Sequence, residues 1–141
     1  MRFFVDANIV IYSAVTSSEY HEACVEIIQA IGAGRADGRL STAVLEEIWH
    51  LESIGKVTGI EGVTRQAYAM FTPLISITDE TFYRALKLDI KGLGTNDRIH
   101  VGACFTNNID TICSADVGFD NVPGLQRIDP LDRKKRLTLT S

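Results

Sequence analysis

The sequence contains no long apolar run. Its apolar stretches are short, such as Ile9–Ile11, whereas a helix needs about 20 apolar residues to cross a bilayer. The N-terminal residues reach an acid at Asp6 and show no small-residue cleavage site, so we expect no secretory signal. We therefore expect a cytoplasmic protein with no membrane contact.

Cysteine and histidine are scarce, with three residues of each. The cysteines are Cys24, Cys104 and Cys113, and the histidines are His21, His50 and His100. An odd number of isolated cysteines argues against a disulfide framework and for a reducing compartment. The scattered histidines and the absence of a Cys-x-x-Cys pair argue against a structural zinc site. No Ser–His–Asp or Cys–His arrangement is present, so a hydrolytic reaction would use water as its nucleophile.

The length of 141 residues and the composition, 45% hydrophobic and 23% charged, are those of one globular domain. We assign residues 1–132 to this domain. Residues 133–141 begin with four consecutive bases, Arg133–Arg136, and we expect them to form a solvated basic C-terminal tail.

Predicted strands alternate with predicted helices along the chain. The strands are Phe3–Val5, Arg39–Ser41, Leu74–Ile77, Thr111–Cys113 and Gln126–Ile128, and the helices cover about 7–15, 19–31, 42–53, 61–71, 79–88 and 96–106. Thr95 is predicted to cap the last of these helices. The alternation predicts an α/β fold, a three-layer α/β/α sandwich around a mainly parallel sheet of about five short strands.

Two acids directly follow predicted strands. Asp6 comes after the first strand, and Asp116 comes shortly after the strand that ends at Cys113. In open parallel sheets, ligands bind at the carboxyl ends of the strands, near the point where the strand order reverses. We therefore expect Asp6 and Asp116 to emerge at the same edge of the sheet.

Helical phase places two further acids. On the helix over 42–53, Glu47 borders the apolar stripe that contains Val44 and Ile48, whereas the adjacent Glu46 points away from it. On the helix over 96–106, Asp97 shares a face with apolar residues, where a carboxylate is costly unless something positive meets it. The alternative for Asp97 is a first-turn acid that complements the helix dipole.

Each acid taken singly has a simple structural explanation, as a strand end, a turn or a surface position. Together, Asp6, Glu47, Asp97 and Asp116 point to one edge of one sheet. Mg²⁺ and Mn²⁺ prefer oxygen ligands, and such a centre can orient water and stabilise charge on a phosphodiester. The pattern predicts a metal-dependent hydrolase.

Five segments at these positions resemble the PIN-domain family, which includes the VapC-type toxins of toxin–antitoxin modules. They are FVDANIV at 4–10, STAVLEEI at 41–48, NDRIHV at 96–101, ICSADVGFD at 112–120 and RIDP at 127–130. Each segment is short, but the segments follow the family order over nearly the whole chain. The resemblance implies a Mg²⁺- or Mn²⁺-dependent ribonuclease, with RNA as substrate, a homodimer and often a cognate antitoxin.

The resemblance also implies roles for individual residues. The metal-binding and catalytic set would be Asp6, Glu47, Asp97 and Asp116, with Asn8 and Ser114 as supporting hydrogen-bonding groups and Asp120 as an additional ligand. The net charge of −4 is unusual for a protein that binds nucleic acid. If these five acids hold metal, however, 13 acids remain against 14 bases, and the bound ions would offset the charge of the site.

Two other functions are compatible with parts of the pattern. Asp6–Val10 is one residue from the opening motif of HAD-like phosphohydrolases, but Asn8 stands where that family has an acid, and an amide cannot transfer a proton. A non-catalytic PIN-like binding module would keep the fold while losing one of the four acids, and none is missing here.

Overall fold

The computed structural model describes all 141 residues. The strands are β1 (Arg2–Val5), β2 (Asp37–Arg39), β3 (Thr111–Cys113) and β4 (Gln126–Ile128). The helices are α1 (Ala7–Ala14), α2 (His21–Gly32), α3 (Thr42–Ile54), α4 (Val63–Phe71), α5 (Asp79–Leu86), α6 (Thr95–Thr106) and α7 (Arg133–Thr140), and a 3-10 helix covers Val117–Asn121. None of the helices combines the length and the apolar character needed to span a membrane.

The four strands form one parallel sheet in the order β2-β1-β3-β4. Strand β1 lies inside the sheet, where Phe4 pairs with Arg39 on one side and Ile112 on the other. The strand order therefore reverses next to β1, and the chain leaves β1 and β3 at the same edge. The predicted α/β fold with a parallel sheet is confirmed.

The sheet has four strands because the predicted strand at Leu74–Ile77 forms only one isolated bridge, between Ile75 and Ser41. Two backbone hydrogen bonds of 2.9 Å fix Ile75 there, and Pro73 just before it has no N–H to extend the pairing. Strand β2 also ends earlier than predicted. Ser41 instead caps α3, since its hydroxyl accepts a hydrogen bond from the backbone N–H of Val44 at 3.1 Å.

Helices cover both faces of the sheet. Phe3, Phe4 and Val5 of β1 are completely buried, and Ile112 of β3 is buried with them. Because successive side chains of a strand point to opposite faces, burial of all three β1 residues requires packing on both sides. This core holds the carboxyl ends of β1 and β3 in a fixed position.

The C-terminal segment forms helix α7 and is not the solvated tail that we expected. Asp132 caps the helix, accepting a hydrogen bond from the backbone N–H of Lys135 at 3.1 Å. Leu139 is only 3% exposed, and Arg136 forms an ion pair of 3.1 Å with Glu26 of α2. The segment packs on the domain because Leu139, which follows the basic run, is buried.

Candidate metal centre

Asp6 is held at the end of β1 by three hydrogen bonds. It is 6% exposed and occupies the N-cap of α1, where Oδ1 accepts from the backbone N–H of Ala7 at 2.8 Å. Its Oδ2 accepts from the hydroxyl of Ser114 at 2.6 Å and from the amide of Asn8 at 3.1 Å. The helix N-terminus and these donors favour the ionised carboxylate, and they fix its orientation.

Asn8 and Ser114 also connect the ends of β1 and β3. The amide nitrogen of Asn8 lies 3.2 Å from Ser114 Oγ, and its carbonyl oxygen accepts from the N–H of Ala115 at 3.2 Å. Ser114 Oγ in turn accepts from the backbone N–H of Asp116 at 3.0 Å. The family resemblance gave these two residues as supporting hydrogen-bonding groups, and their contacts join both strand ends into one network.

Glu47 on α3 faces the same edge of the sheet. It is half-buried, whereas Glu46 is exposed, as the helical phase predicted. Glu47 Oε1 accepts a hydrogen bond of 2.9 Å from Nε2 of His100 on α6, a side chain that is 1% exposed. The possible ligand atoms of Asp6, Glu47 and His100 all lie within 4.8 Å of one another.

His100 was not predicted from the sequence as part of the site. The available signal was its position three residues after Asp97, on the same side of α6. Its partner Glu47 is 53 residues away in the chain, so only the tertiary fold shows the contact. The other ring nitrogen, Nδ1, is buried without a hydrogen-bond partner.

Asp97 lies in the first turn of α6 and is half-buried. The prediction that Thr95 caps this helix is wrong: Gly94 occupies the cap position, and no side chain caps the helix. Burial, followed by the nearby charges of Asp6 and Asp116, raises the pKa of Asp97 to about 6. Asp97 is not among the residues whose ligand atoms lie within 4.8 Å of one another. The effect of the charges of Asp6 and Asp116 on its pKa nevertheless shows that it lies near the same centre.

Asp116 and Asp120 differ in their surroundings. Asp116 is exposed and caps the 3-10 helix, where its Oδ1 accepts from the N–H of Gly118 at 2.8 Å. Asp120 accepts two hydrogen bonds from the Arg127 guanidinium, from Nε at 2.7 Å and from Nη2 at 3.2 Å. This hydrogen bonding lowers the pKa of Asp120. The structure thus gives Asp120, considered from the sequence as an additional ligand, a different partner.

The centre consists of closely spaced acids around one base, His100. Burial raises the pKa of Asp6, and the hydrogen bond from Ser114 and the charge of His100 offset this rise only in part. Burial alone would lower the pKa of His100, but the hydrogen bond to Glu47 and the nearby acids reverse the effect and raise it. The acids of the centre therefore attract more positive charge than His100 alone supplies.

This donor set fits a hard divalent cation. Carboxylate oxygens of Asp6 and Glu47 converge, and a bound cation would relieve the repulsion from Asp6 and Asp116 that, after burial, raises the pKa of Asp97. His100 is the one unusual member, because carboxylate centres for Mg²⁺ do not need an imidazole. The residues present are therefore compatible with a metal centre at the carboxyl ends of β1 and β3.

Comparisons with known proteins identify the family and the fold. The family model described as PIN domain matches residues 3–125, and a comparison with curated proteins gave no match. Among solved structures, VapBC2 from Rickettsia felis bound to a promoter DNA fragment gives a TM-score of 0.67 at 18% identity, covering 91% of this chain and 98% of that one.

Two further solved structures have the same fold. FitAcB from Neisseria gonorrhoeae gives a TM-score of 0.68 at 11% identity, covering 92% of this chain and 99% of that one. VapC20 from Mycobacterium tuberculosis, described as a toxin that cleaves the sarcin-ricin loop, gives 0.61 at 14% identity, covering 87% and 98%. At these identities the likeness shows the fold.

Proposed function

Because the chain belongs to the PIN domain family, a family of nucleases, we propose that it is a metal-dependent endoribonuclease that acts as the toxin of a toxin–antitoxin module. One observation carries the proposal. The possible ligand atoms of Asp6, Glu47 and His100 lie within 4.8 Å of one another at the end of β1. Beside them, burial and the charges of Asp6 and Asp116 raise the pKa of Asp97 to about 6. Closely spaced acids with perturbed pKa values are typical of functional sites, and a bound cation would compensate their charge.

The residues proposed to hold Mg²⁺ or Mn²⁺ are Asp6, Glu47, Asp97 and Asp116. A divalent cation bound there would supply positive charge for the phosphodiester and would acidify a water molecule. The chain itself would contribute orientation. Ser114 and Asn8 fix the carboxylate of Asp6, and His100 fixes that of Glu47. Water would be the nucleophile.

The proposed partners follow from the proteins of similar fold. The similar structures include toxins in complex with other chains, described as VapBC2, FitAcB and a toxin–antitoxin complex from Klebsiella pneumoniae. We propose that this chain likewise has a cognate antitoxin, acts on RNA in the cytoplasm and forms a homodimer. Sequencing the neighbouring reading frame for a small DNA-binding protein tests the first of these proposals.

The family match decides against the HAD-like alternative, since the PIN model covers residues 3–125 and Asn8 serves as a hydrogen-bond donor to Asp6. The non-catalytic binding module is the second candidate, because a PIN fold can be kept without catalysis. It predicts RNA binding without cleavage, so one assay separates the two functions.

The decisive experiment incubates the purified chain with a mixed pool of single-stranded RNA in Mg²⁺, in Mn²⁺ and in EDTA. We expect new RNA ends with either metal and none in EDTA. Asp97→Asn should abolish cleavage while the protein stays folded, which excludes a contaminating nuclease. If the wild-type chain cleaves no RNA with either metal, and its melting temperature does not change when Mn²⁺ is added, the metal-nuclease proposal is wrong.

A further inference from the structure

A cleft of about 730 Å³ opens beside the candidate metal centre, between α3, α5 and α6. Glu47 and His100 both line it, so the cleft and the centre share two residues. Its volume lies within the range of about 300–1,000 Å³ that small-molecule sites occupy. A group bound in this cleft would therefore contact the carboxylate centre directly.

Apolar side chains form half of the cleft wall. Leu51, Ile77, Ile99 and the ring of Phe82 all line it. Phe82 is 48% exposed, although burying an aromatic ring is strongly favourable. A half-exposed aromatic ring at a cleft next to a nuclease centre is the kind of surface on which nucleic-acid bases stack.

The charge of the cleft excludes a phosphate as its occupant. No lysine or arginine lines it, whereas Glu46 and Glu47 contribute two carboxylates. A phosphodiester would meet repulsion there unless a cation lay between. The occupant that suits this wall is a flat, uncharged group with an apolar face and a polar edge. The exposed side chains of His50 and Asn96 supply the matching hydrogen-bonding groups.

We propose that the cleft binds one nucleobase of the RNA strand, next to the phosphodiester that is cleaved. The base stacks on Phe82, and its edge faces Asn96 and His50. The proposal rests on the proposed function, since it assigns the group beside the scissile phosphate. It makes the cleft a determinant of base preference at one position of the cleavage site.

The first test measures binding without cleavage. A fluorescein-labelled, single-stranded RNA 12-mer of mixed sequence is titrated with the full chain carrying Asp97→Asn, and fluorescence anisotropy gives the affinity. Adding Phe82→Ala should weaken binding about 5- to 150-fold, which is the range for loss of one stacked base. Adding Phe82→Trp instead should preserve most of the affinity.

Tyr83→Ala is the matched control. Tyr83 precedes Arg84 on the same helix, is 60% exposed, and contacts Lys87 through its ring at 4.3 Å, but it does not line the cleft. It should leave the affinity unchanged. If the Asp97→Asn protein does not bind the 12-mer, or if Phe82→Ala and Tyr83→Ala bind it equally well, the inference is overturned.

The second test reads base preference. The chain with wild-type carboxylates cleaves a random RNA pool in Mn²⁺, and the new ends are sequenced. Phe82→Ala should flatten the preference at a single position beside the cut and leave the other positions unchanged, an effect that a general loss of stability would not produce. A preference altered equally at every position, or not at all, would contradict the inference. Absence of cleavage by the wild-type chain would contradict the proposed function, and the binding test with Phe82→Ala and Tyr83→Ala would then decide separately whether the cleft binds a base.

Discussion

Replacing Asp97 by asparagine should stabilise the metal-free protein. The pKa of this carboxyl is raised from its ordinary value of 3.8 to about 6, first by burial and then by Asp6 and Asp116. A shift of this size corresponds to at most about 3 kcal/mol of destabilisation when Asp97 is ionised. Asp97 is only half-buried, and solvent screening brings the expected gain of Asp97→Asn at pH 7 to about 1–2 kcal/mol.

The pH dependence of this gain has a definite sign. Because the pKa of Asp97 is higher in the folded protein, folding binds the proton, and ionisation of this side chain opposes folding. The penalty is absent below about pH 4, where Asp97 is protonated in both states, and is complete above about pH 6. The advantage of Asp97→Asn over the wild type should therefore appear between these two values and persist at pH 7.

The assay is urea unfolding and thermal melting in EDTA at pH 4 and pH 7. At pH 7 the melting temperature of Asp97→Asn should exceed that of the wild type by about 3–8 °C. The control is Asp89→Asn, which removes one exposed acid outside the centre and should change the melting temperature little. Saturating Mn²⁺ should stabilise the wild type more than Asp97→Asn, because the ligand binds the folded form. A variant that is less stable than the wild type at pH 7 in EDTA would refute the argument from charge crowding.

Three other substitutions test the surrounding structure by urea unfolding. Ser114→Ala removes the 2.6 Å hydrogen bond to the buried Asp6 and should lower the free energy of unfolding by about 1–3 kcal/mol; recovery in Ser114→Thr would identify the hydroxyl as the cause. Leu139→Ala should lower the free energy of unfolding by about 2–4 kcal/mol because this side chain is 3% exposed. Leu137→Ala on the same helix, where the side chain is 42% exposed, should lower it much less. Equal effects would show that α7 does not pack on the domain. Gly102→Ala would place a Cβ 2.6 Å from a backbone oxygen of α5 and should cost about 1–3 kcal/mol; a neutral result would mean that α5 and α6 separate easily.

The sequence was sufficient to predict features that depend on local periodicity. The parallel sheet followed from alternating strands and helices, and the half-buried state of Glu47 followed from its helical phase beside Val44 and Ile48. These predictions succeed because side chains on one element share a face at fixed spacing, whatever the rest of the chain does. The sequence therefore locates side chains well relative to their own helix or strand.

Features that depend on distant partners were not predictable. His100 reaches Glu47 across 53 residues, and a lone histidine on an apolar face carries no local sign of such a partner. Ile75 has the composition of a strand residue, but whether it pairs along a strand or through one bridge depends on Ser41. The family resemblance implies that Asp120 is an additional ligand, and only the fold shows that Arg127 binds it.

The positions of the four acids explain how one small domain tolerates them without metal. Asp6 and Asp116 cap helical segments, and Asp97 lies in the first turn of α6, so each faces the positive end of a helix. Glu47 lies in the middle of α3 and has no such end, and it is the acid that receives the hydrogen bond from His100. The imidazole of His100 thus contacts the one acid of the four that no helix N-terminus stabilises. Loss of His100 should therefore lower the stability of the metal-free fold chiefly through Glu47, and a double-mutant cycle of urea unfolding should show that Glu47→Gln removes most of this loss.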